Sequence, residues 1–138
     1  MIFVVLYNLL STVQIIAFTH RKFNFEEIGL FHLDDKQRID VLTNLKTNLD
    51  IDELMYLSTC NRVEFIICHE KKITKTFVKE LIKCLLADQL LPNLKDIVDR
   101  AEIINNKAAV HHIFSVASSI DSLVVGEREI ITQVRKAF

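Results

Sequence analysis

Glycine and proline are nearly absent: the 138 residues hold 2 of the first and 1 of the second. A backbone that wraps a phosphate needs several residues without a Cβ. A glycine-rich phosphate loop, and with it a nucleotide-binding domain, is therefore excluded from this chain, as are collagen-like repeats and flexible linkers. Cysteine is scarce and odd in number. Cys60, Cys68 and Cys84 show no CxxC spacing, which speaks against a disulfide framework and a zinc knuckle and for a reducing cytoplasm. Neither sign of charge dominates: Lys+Arg 17 stand against Asp+Glu 18, a formal net charge of -1, which argues against a basic nucleic-acid coat. With 50% hydrophobic residues a disordered tail protein is excluded too. A long uninterrupted apolar run is also lacking. Residues 1–18 come nearest, but Tyr7, Asn8, Ser11, Thr12 and Gln14 break them up and no basic stretch precedes them, so they read as an extension over residues 1–12 leading into a buried strand. No membrane association is expected.

The length fits a single domain over residues 1–138, able to bury on the order of two thirds of its unfolded surface. Residues 13–19 form a short apolar, β-branched run that ends in Thr19, His20, Arg21 and Lys22, as expected of a central strand opening into a functional loop. Asp34 and Asp35 can start a helix whose inward stripe is Ile39, Leu42, Leu45 and Leu49. Residues 53–57 and 63–68 are strand-like, and the polar stretch Ser58, Thr59, Cys60, Asn61, Arg62 between them reads as the loop of an antiparallel hairpin. Thr74 is a suitable N-cap for a helix with Phe77, Val78, Leu81, Ile82 and Leu85 inward and Pro92 as its stop. Residues 101–104 make one more short strand, Asn105 can cap the following helix, and residues 127–138 are helical in pattern. The order β, α, β, β, α, β predicts an α+β fold. It is a ferredoxin-like split βαβ sandwich, an antiparallel sheet with helices packed on one face, plus C-terminal helices. The last helix reaches Phe138 without a stop signal, so the natural chain is expected to continue.

Two side chains stand out chemically. Cys60 lies in a polar connection with Arg62 two positions on, and a nearby guanidinium favours the thiolate, the nucleophilic form. The plainer alternative is a small residue at a strand end. Cys68 in a strand and Cys84 in a helix read as inert packing. His112 falls well away from the expected core stripe of Val110, Ile113, Phe114 and Ala117, with small neighbours Ala108, Ser115, Val116 and Ser119. It is either a solvated surface histidine or a general acid/base facing Cys60. His32, His69 and His111 read as structural or solvated. Arg62 with Glu64 is either a surface pair of little weight or leaves its planar fork for a substrate carboxylate, a bidentate geometry that Lys does not copy.

The run Leu57-Ser58-Thr59-Cys60-Asn61-Arg62-Val63-Glu64 and the later run from His112 through Val116, Ala117, Ser118, Ile120, Asp121, Ser122, Val124, Gly126 and Glu127 resemble the N-terminal catalytic domain of glutamyl-tRNA reductases. The first is similar to that family's STCNR-E nucleophile block, the second to its H-x-x-x-V-A-S-G-[LI]-[DE]-S-x-[VI]-x-G-E segment. His20 stands near the position the resemblance gives it after the first strand. Departures are Ser119 in place of a usual Gly, Arg128 and Glu129 in place of Pro or Asp then Gln, and Thr132 in place of Gly.

The resemblance implies a ferredoxin-like fold and an acyl transfer in which Cys60 attacks the glutamyl ester of glutamyl-tRNA. It implies that the thioester is reduced by NADPH to glutamate-1-semialdehyde for tetrapyrrole biosynthesis in the cytoplasm. It gives Arg62 the glutamate moiety, has Thr59, Ser122 and Gln133 position it, and has His112 support the transfer, with no metal. It also implies that NADPH binds only in the longer protein. There a homodimer forms through a C-terminal domain missing here, and glutamate-1-semialdehyde aminomutase is a possible partner. The alternative is a non-catalytic module of the same descent that binds tRNA or a partner enzyme. An intact Cys60, Arg62 and His112 set speaks against it, because a pure binding module needs no thiolate. Any tRNA contact must use a local patch such as His20, Arg21 and Lys22 with Arg62, given the net charge.

Overall fold

A computed structural model describes residues 12–86 and 92–118 and the single positions 132 and 135. The elements are β1 (Val13–Thr19), α1 (Phe25–Gly29), α2 (Asp35–Asn48), β2 (Glu53–Thr59), β3 (Arg62–Cys68), α3 (Lys75–Leu86), α4 (Leu94–Arg100), β4 (Glu102–Asn105) and α5 (Asn106–Ala117). The four strands form one sheet in the order β2-β3-β1-β4, with every neighbouring pair antiparallel. This is the split βαβ arrangement expected from the sequence. The expected extension over 1–12, apart from Thr12, and the expected helix over 127–138, apart from positions 132 and 135, fall outside the described residues, as do residues 87–91 before Pro92.

Strand alternation sorts the sheet into two unlike faces. Ile16, Phe18, Val63, Phe65 and Ile67 point to one, where Ile28, Leu45, Val78, Leu81, Ile82, Ile97 and Val98 from α1 to α4 close the main core. Phe18 stacks on Phe31 at 4.0 Å between ring centroids and meets Phe23 and Phe65 edge-on. Ile15 and Ala17 point to the other face, where Ala109 of α5 packs on them with Ile66, Ile104 and Ile113 at the margin. Helix α5 thus covers the face that α1 to α4 leave open.

Local signals account for most helix starts. Asn24 and Glu27 cap α1 reciprocally, each side chain accepting from the other's backbone N–H at 2.8 and 2.9 Å. Asp34 precedes α2, and Thr74 accepts from the Phe77 N–H at the start of α3. In α2 the structure corrects the predicted stripe. Leu45 is buried and Val41, Leu42 and Leu49 pack beside it, whereas Ile39 is 76% exposed. At about 100° per residue, the stripe that includes Val41 is centred roughly 100° away from Ile39. The same geometry corrects Cys84, which is exposed on α3: it lies about 110° from the centre of the Val78, Leu81, Ile82, Leu85 stripe.

The short helices α1 and α4, which the sequence reading passes over, are joined by Arg100. Its guanidinium meets Glu27 at 2.6 and 3.1 Å and Asp96 at 2.7 and 2.8 Å, donates to the Lys22 carbonyl at 2.7 Å and lies 4.4 Å from the Phe23 ring centroid. The Arg100 hydrogen bonds and the Asn24 backbone N–H hold the Glu27 carboxyl below the ordinary carboxylate range. A carboxylate with a depressed folded pKa stabilises fully above its unfolded pKa, and the contribution is lost as pH falls through the folded value. Arg100→Lys, which loses the fork, is expected to cost roughly 1 to 2 kcal/mol at pH 7. Urea unfolding at pH 7 and pH 3 should show the gap between parent and variant narrowing in acid; an equal gap at both would rule out the ion pair as its source.

Candidate functional site

Only Cys60 and Asn61 lie between β2 and β3, because Ser58, Thr59 and Arg62, expected in the loop, belong to the strands. Thr59 and Arg62 form the last pair of that ladder. Neither turn residue has positive φ, so the turn needs no glycine. It is held from both sides. The Thr59 hydroxyl donates to Asn61 Oδ1 at 2.8 Å, and the His20 N–H donates to the Asn61 carbonyl at 2.9 Å. Asn61 is buried as a result, and Cys60 is left exposed at the tip. The exposure fits a reactive thiol, whereas half-buried Cys68 has its thiol pushed up by burial and by the carboxylates of Glu53 and Asp52.

Beneath the turn, on the α5 face, Arg62 and Glu64 are each 1% exposed and meet at 2.9 Å between Nη1 and Oε1. The surface-pair alternative is thereby overturned: the pair is enclosed, and a buried charge must be compensated locally. His112 completes it, with Nε2 at 3.0 Å from both Glu64 oxygens and its side chain 14% exposed. A carboxylate only accepts, so Nε2 carries the N–H and the lone pair of the neutral ring sits on Nδ1.

The expected orientation of α5 is corrected by the same contact. Ala109 and Val116 are buried on the inward side with His112 and Ile113, while Phe114, expected in the core, is 68% exposed. The inward face is rotated by about 100° from the predicted one. Its partner surface on the sheet offers Ala17, Leu57 and the Glu64 carboxylate, which suits small residues and an imidazole better than a phenyl ring. Glu64 is the residue whose role the sequence reading missed. A carboxylate inside an otherwise apolar strand is the signal that a buried partner exists.

On the opposite side of the turn an open cleft of about 640 Å3 is lined by His32, Asp34, Asp35, Arg38, Ser58, Thr59 and Cys60. His32 Nδ1 lies 2.9 Å from Ser58 Oγ there. Thr59 thus pairs with Arg62 across the ladder that the Cys60 turn closes, and His112 reaches Arg62 through Glu64, whereas Ser122 and Gln133 lie outside the described residues. Among the described residues, no His, Cys, Asp and Glu side chains group in threes to hold a metal, and no helix is long and apolar enough to cross a membrane.

Comparison with known proteins matches residues 16–138 to the family described as glutamyl-tRNAGlu reductase, N-terminal domain. A glutamyl-tRNA reductase of Nitratiruptor sp. is 37% identical over 127 residues, covering 90% of this chain and 28% of the relative. One of Campylobacter curvus is 38% identical over 124 residues, covering 89% and 28%. The chain thus spans little more than a quarter of the length of these relatives. The solved structure of glutamyl-tRNA reductase from Methanopyrus kandleri shares the fold over 92% of this chain and 27% of its own, with a TM-score of 0.66 and 24% identity.

Proposed function

The chain belongs to the family of the glutamyl-tRNA reductase N-terminal domain, and from that premise we propose that it performs the acyl-transfer half of glutamyl-tRNA reduction. The observation that carries this reading is the exposed Cys60 on a turn pinned by Thr59, Asn61 and His20, at the end of the strand that holds the buried Arg62 and Glu64, with His112 bound to Glu64. A nucleophile fixed in this way loses little freedom when a substrate is seated, which favours reaction.

In the step itself, the Cys60 thiolate attacks the ester carbonyl of glutamyl-tRNA. The C–S bond forms, the ester C–O bond breaks, and the terminal ribose oxygen leaves and takes up a proton. Arg62 draws in the glutamate carboxylate, and Glu64 fixes the plane of the guanidinium. Thr59 holds the turn, and Ser122 and Gln133 complete the contacts to the glutamyl group. His112, oriented through Nε2, offers Nδ1 for proton transfer.

NADPH supplies the hydride that turns such a thioester into glutamate-1-semialdehyde, the reductive step toward tetrapyrroles. The described residues do not fit it. Gly29, their one glycine, ends the five-residue helix α1, and none of their strand-to-helix turns is glycine-rich. A cytoplasmic site, a homodimer through parts of the relatives that this chain does not span, and the aminomutase as partner belong to the same reading.

The test is to incubate the chain with glutamyl-tRNA, quench in acid and map peptides by mass spectrometry. A glutamyl adduct on the Cys60 peptide is expected. No adduct, or one on Cys84 instead, overturns the assignment.

A further inference from the structure

At the Cys60 end of the sheet, one row of side chains crosses the face that α5 covers. Thr59 of β2 and Thr19 of β1 both stand opposite Arg62 of β3. Directly opposed residues on one face have Cβ atoms about 4.5 to 5.5 Å apart, so the Arg62 side chain runs between two threonines. Their hydroxyls are employed differently. That of Thr59 donates to Asn61. That of Thr19 is buried, in a residue 4% exposed, and Oγ1 has no hydrogen-bond partner among the described residues.

An orphaned hydroxyl in this position calls for a reason, because burying one without a partner is costly and valine fills the same shape without that penalty. The rest of β1 shows that the strand can satisfy a buried polar group. Gln14, 3% exposed, donates through Nε2 to the carbonyls of His69 and Lys71 and accepts the Ile73 N–H on Oε1. The second orphan lies next to the first: His20 Nδ1 is buried without a partner among the described residues, while the His20 N–H holds the turn that carries Cys60. Two consecutive residues thus keep unused polar atoms at the corner next to the turn that carries Cys60.

We infer that Thr19 is a substrate-binding residue of the acyl-transfer site, its hydroxyl donating to the carboxylate of the glutamyl group that Arg62 draws in. This rests on the acyl-transfer reading and adds to it a donor that the motifs around Cys60 and His112 do not include. The hydroxyl gains its partner only when the substrate is bound. Its worth therefore appears in acylation and not in the stability of the free chain.

Thr19→Val and Thr19→Ser, measured in the whole chain, separate these quantities. The rate of Cys60 acylation per glutamyl-tRNA concentration, from quenched single turnovers, is expected to fall by about tenfold to a hundredfold in Thr19→Val. Thr19→Ser should stay close to the parent. The urea midpoint of Thr19→Val should equal or exceed the parental one, because an unpartnered buried hydroxyl has been removed. A lowered midpoint would show that the hydroxyl has a structural partner and overturn the inference. An adduct formed equally fast by parent and Thr19→Val overturns the inference alone. No adduct on the parent overturns the acyl-transfer reading and this inference with it.

Discussion

Glu64→Ala is expected to destabilise the chain by about 3 to 5 kcal/mol, a large part of what a domain of this size has to lose. The reason is the enclosure of Arg62 and Glu64, each 1% exposed. Truncating the carboxylate takes from a buried guanidinium its ion-pair partner at 2.9 Å, and removes the acceptor of His112 Nε2 as well. Glu64→Gln should cost less, since one oxygen still accepts. Replacing both members, Arg62→Met with Glu64→Met, should return most of the loss, because apolar residues of similar volume need no compensation. Urea unfolding of the parent and these three variants at pH 7 with unchanged slopes would establish that order of stabilities. Should Glu64→Ala match the parent, the guanidinium reaches water and the pair is not enclosed. A stable double variant that no longer acylates Cys60 would show that the pair is kept for chemistry, since stability would not require it.

How far the sequence announces this structure depends on how local each determinant is. β1 spans 13–19 as expected, the hairpin pairs as expected, and α2 begins beside Asp34, because strand alternation and side-chain caps act over a few residues. Helices α1 and α4 hold five and seven residues, too short for periodicity to register, and Arg100 unites them across 73 residues of sequence. Asn105 occupies the N-cap of α5 as expected, yet its side chain makes no capping bond. The facing of α5 escapes a helical wheel because it answers to Glu64, 48 residues away, and the wheel weighs Phe114 without knowing what lies opposite. Cys60, Arg62 and His112 are legible through family resemblance, and Cys60 and Arg62 also through their spacing. That Arg62 and His112 are linked by a buried carboxylate is not, since a polar stretch between strands looks the same whether it forms a loop or the last rung of a ladder. Thr19 reads only as the end of a strand, and nothing in the sequence marks a hydroxyl as unpartnered.

Cys60→Ser is expected to abolish the covalent intermediate altogether, the largest effect any single substitution here should have on activity. A serine hydroxyl is a far weaker nucleophile than a thiolate at neutral pH, and the polar groups of Thr59, Asn61 and His20 nearest to it are engaged in pinning the turn. Cys84→Ser should acylate as the parent does although Cys84 is also exposed, because it sits on α3 away from Arg62 and His112. The parent's thioester, open to water and without a hydride donor, should decay slowly to free glutamate, with His112 Nδ1 expected to take the proton of the attacking water. NADPH should alter neither the product nor the rate, since 2 glycines in 138 residues cannot build the turn that cradles a dinucleotide pyrophosphate. A chase of radiolabelled glutamyl-tRNA with and without NADPH, resolved for glutamate and semialdehyde, reads all of this at once. Semialdehyde from the chain alone would place hydride transfer within it and refute the division of labour. Free glutamate released as fast by Cys60→Ser as by the parent would remove the covalent intermediate and leave a chain that merely hydrolyses the ester it binds.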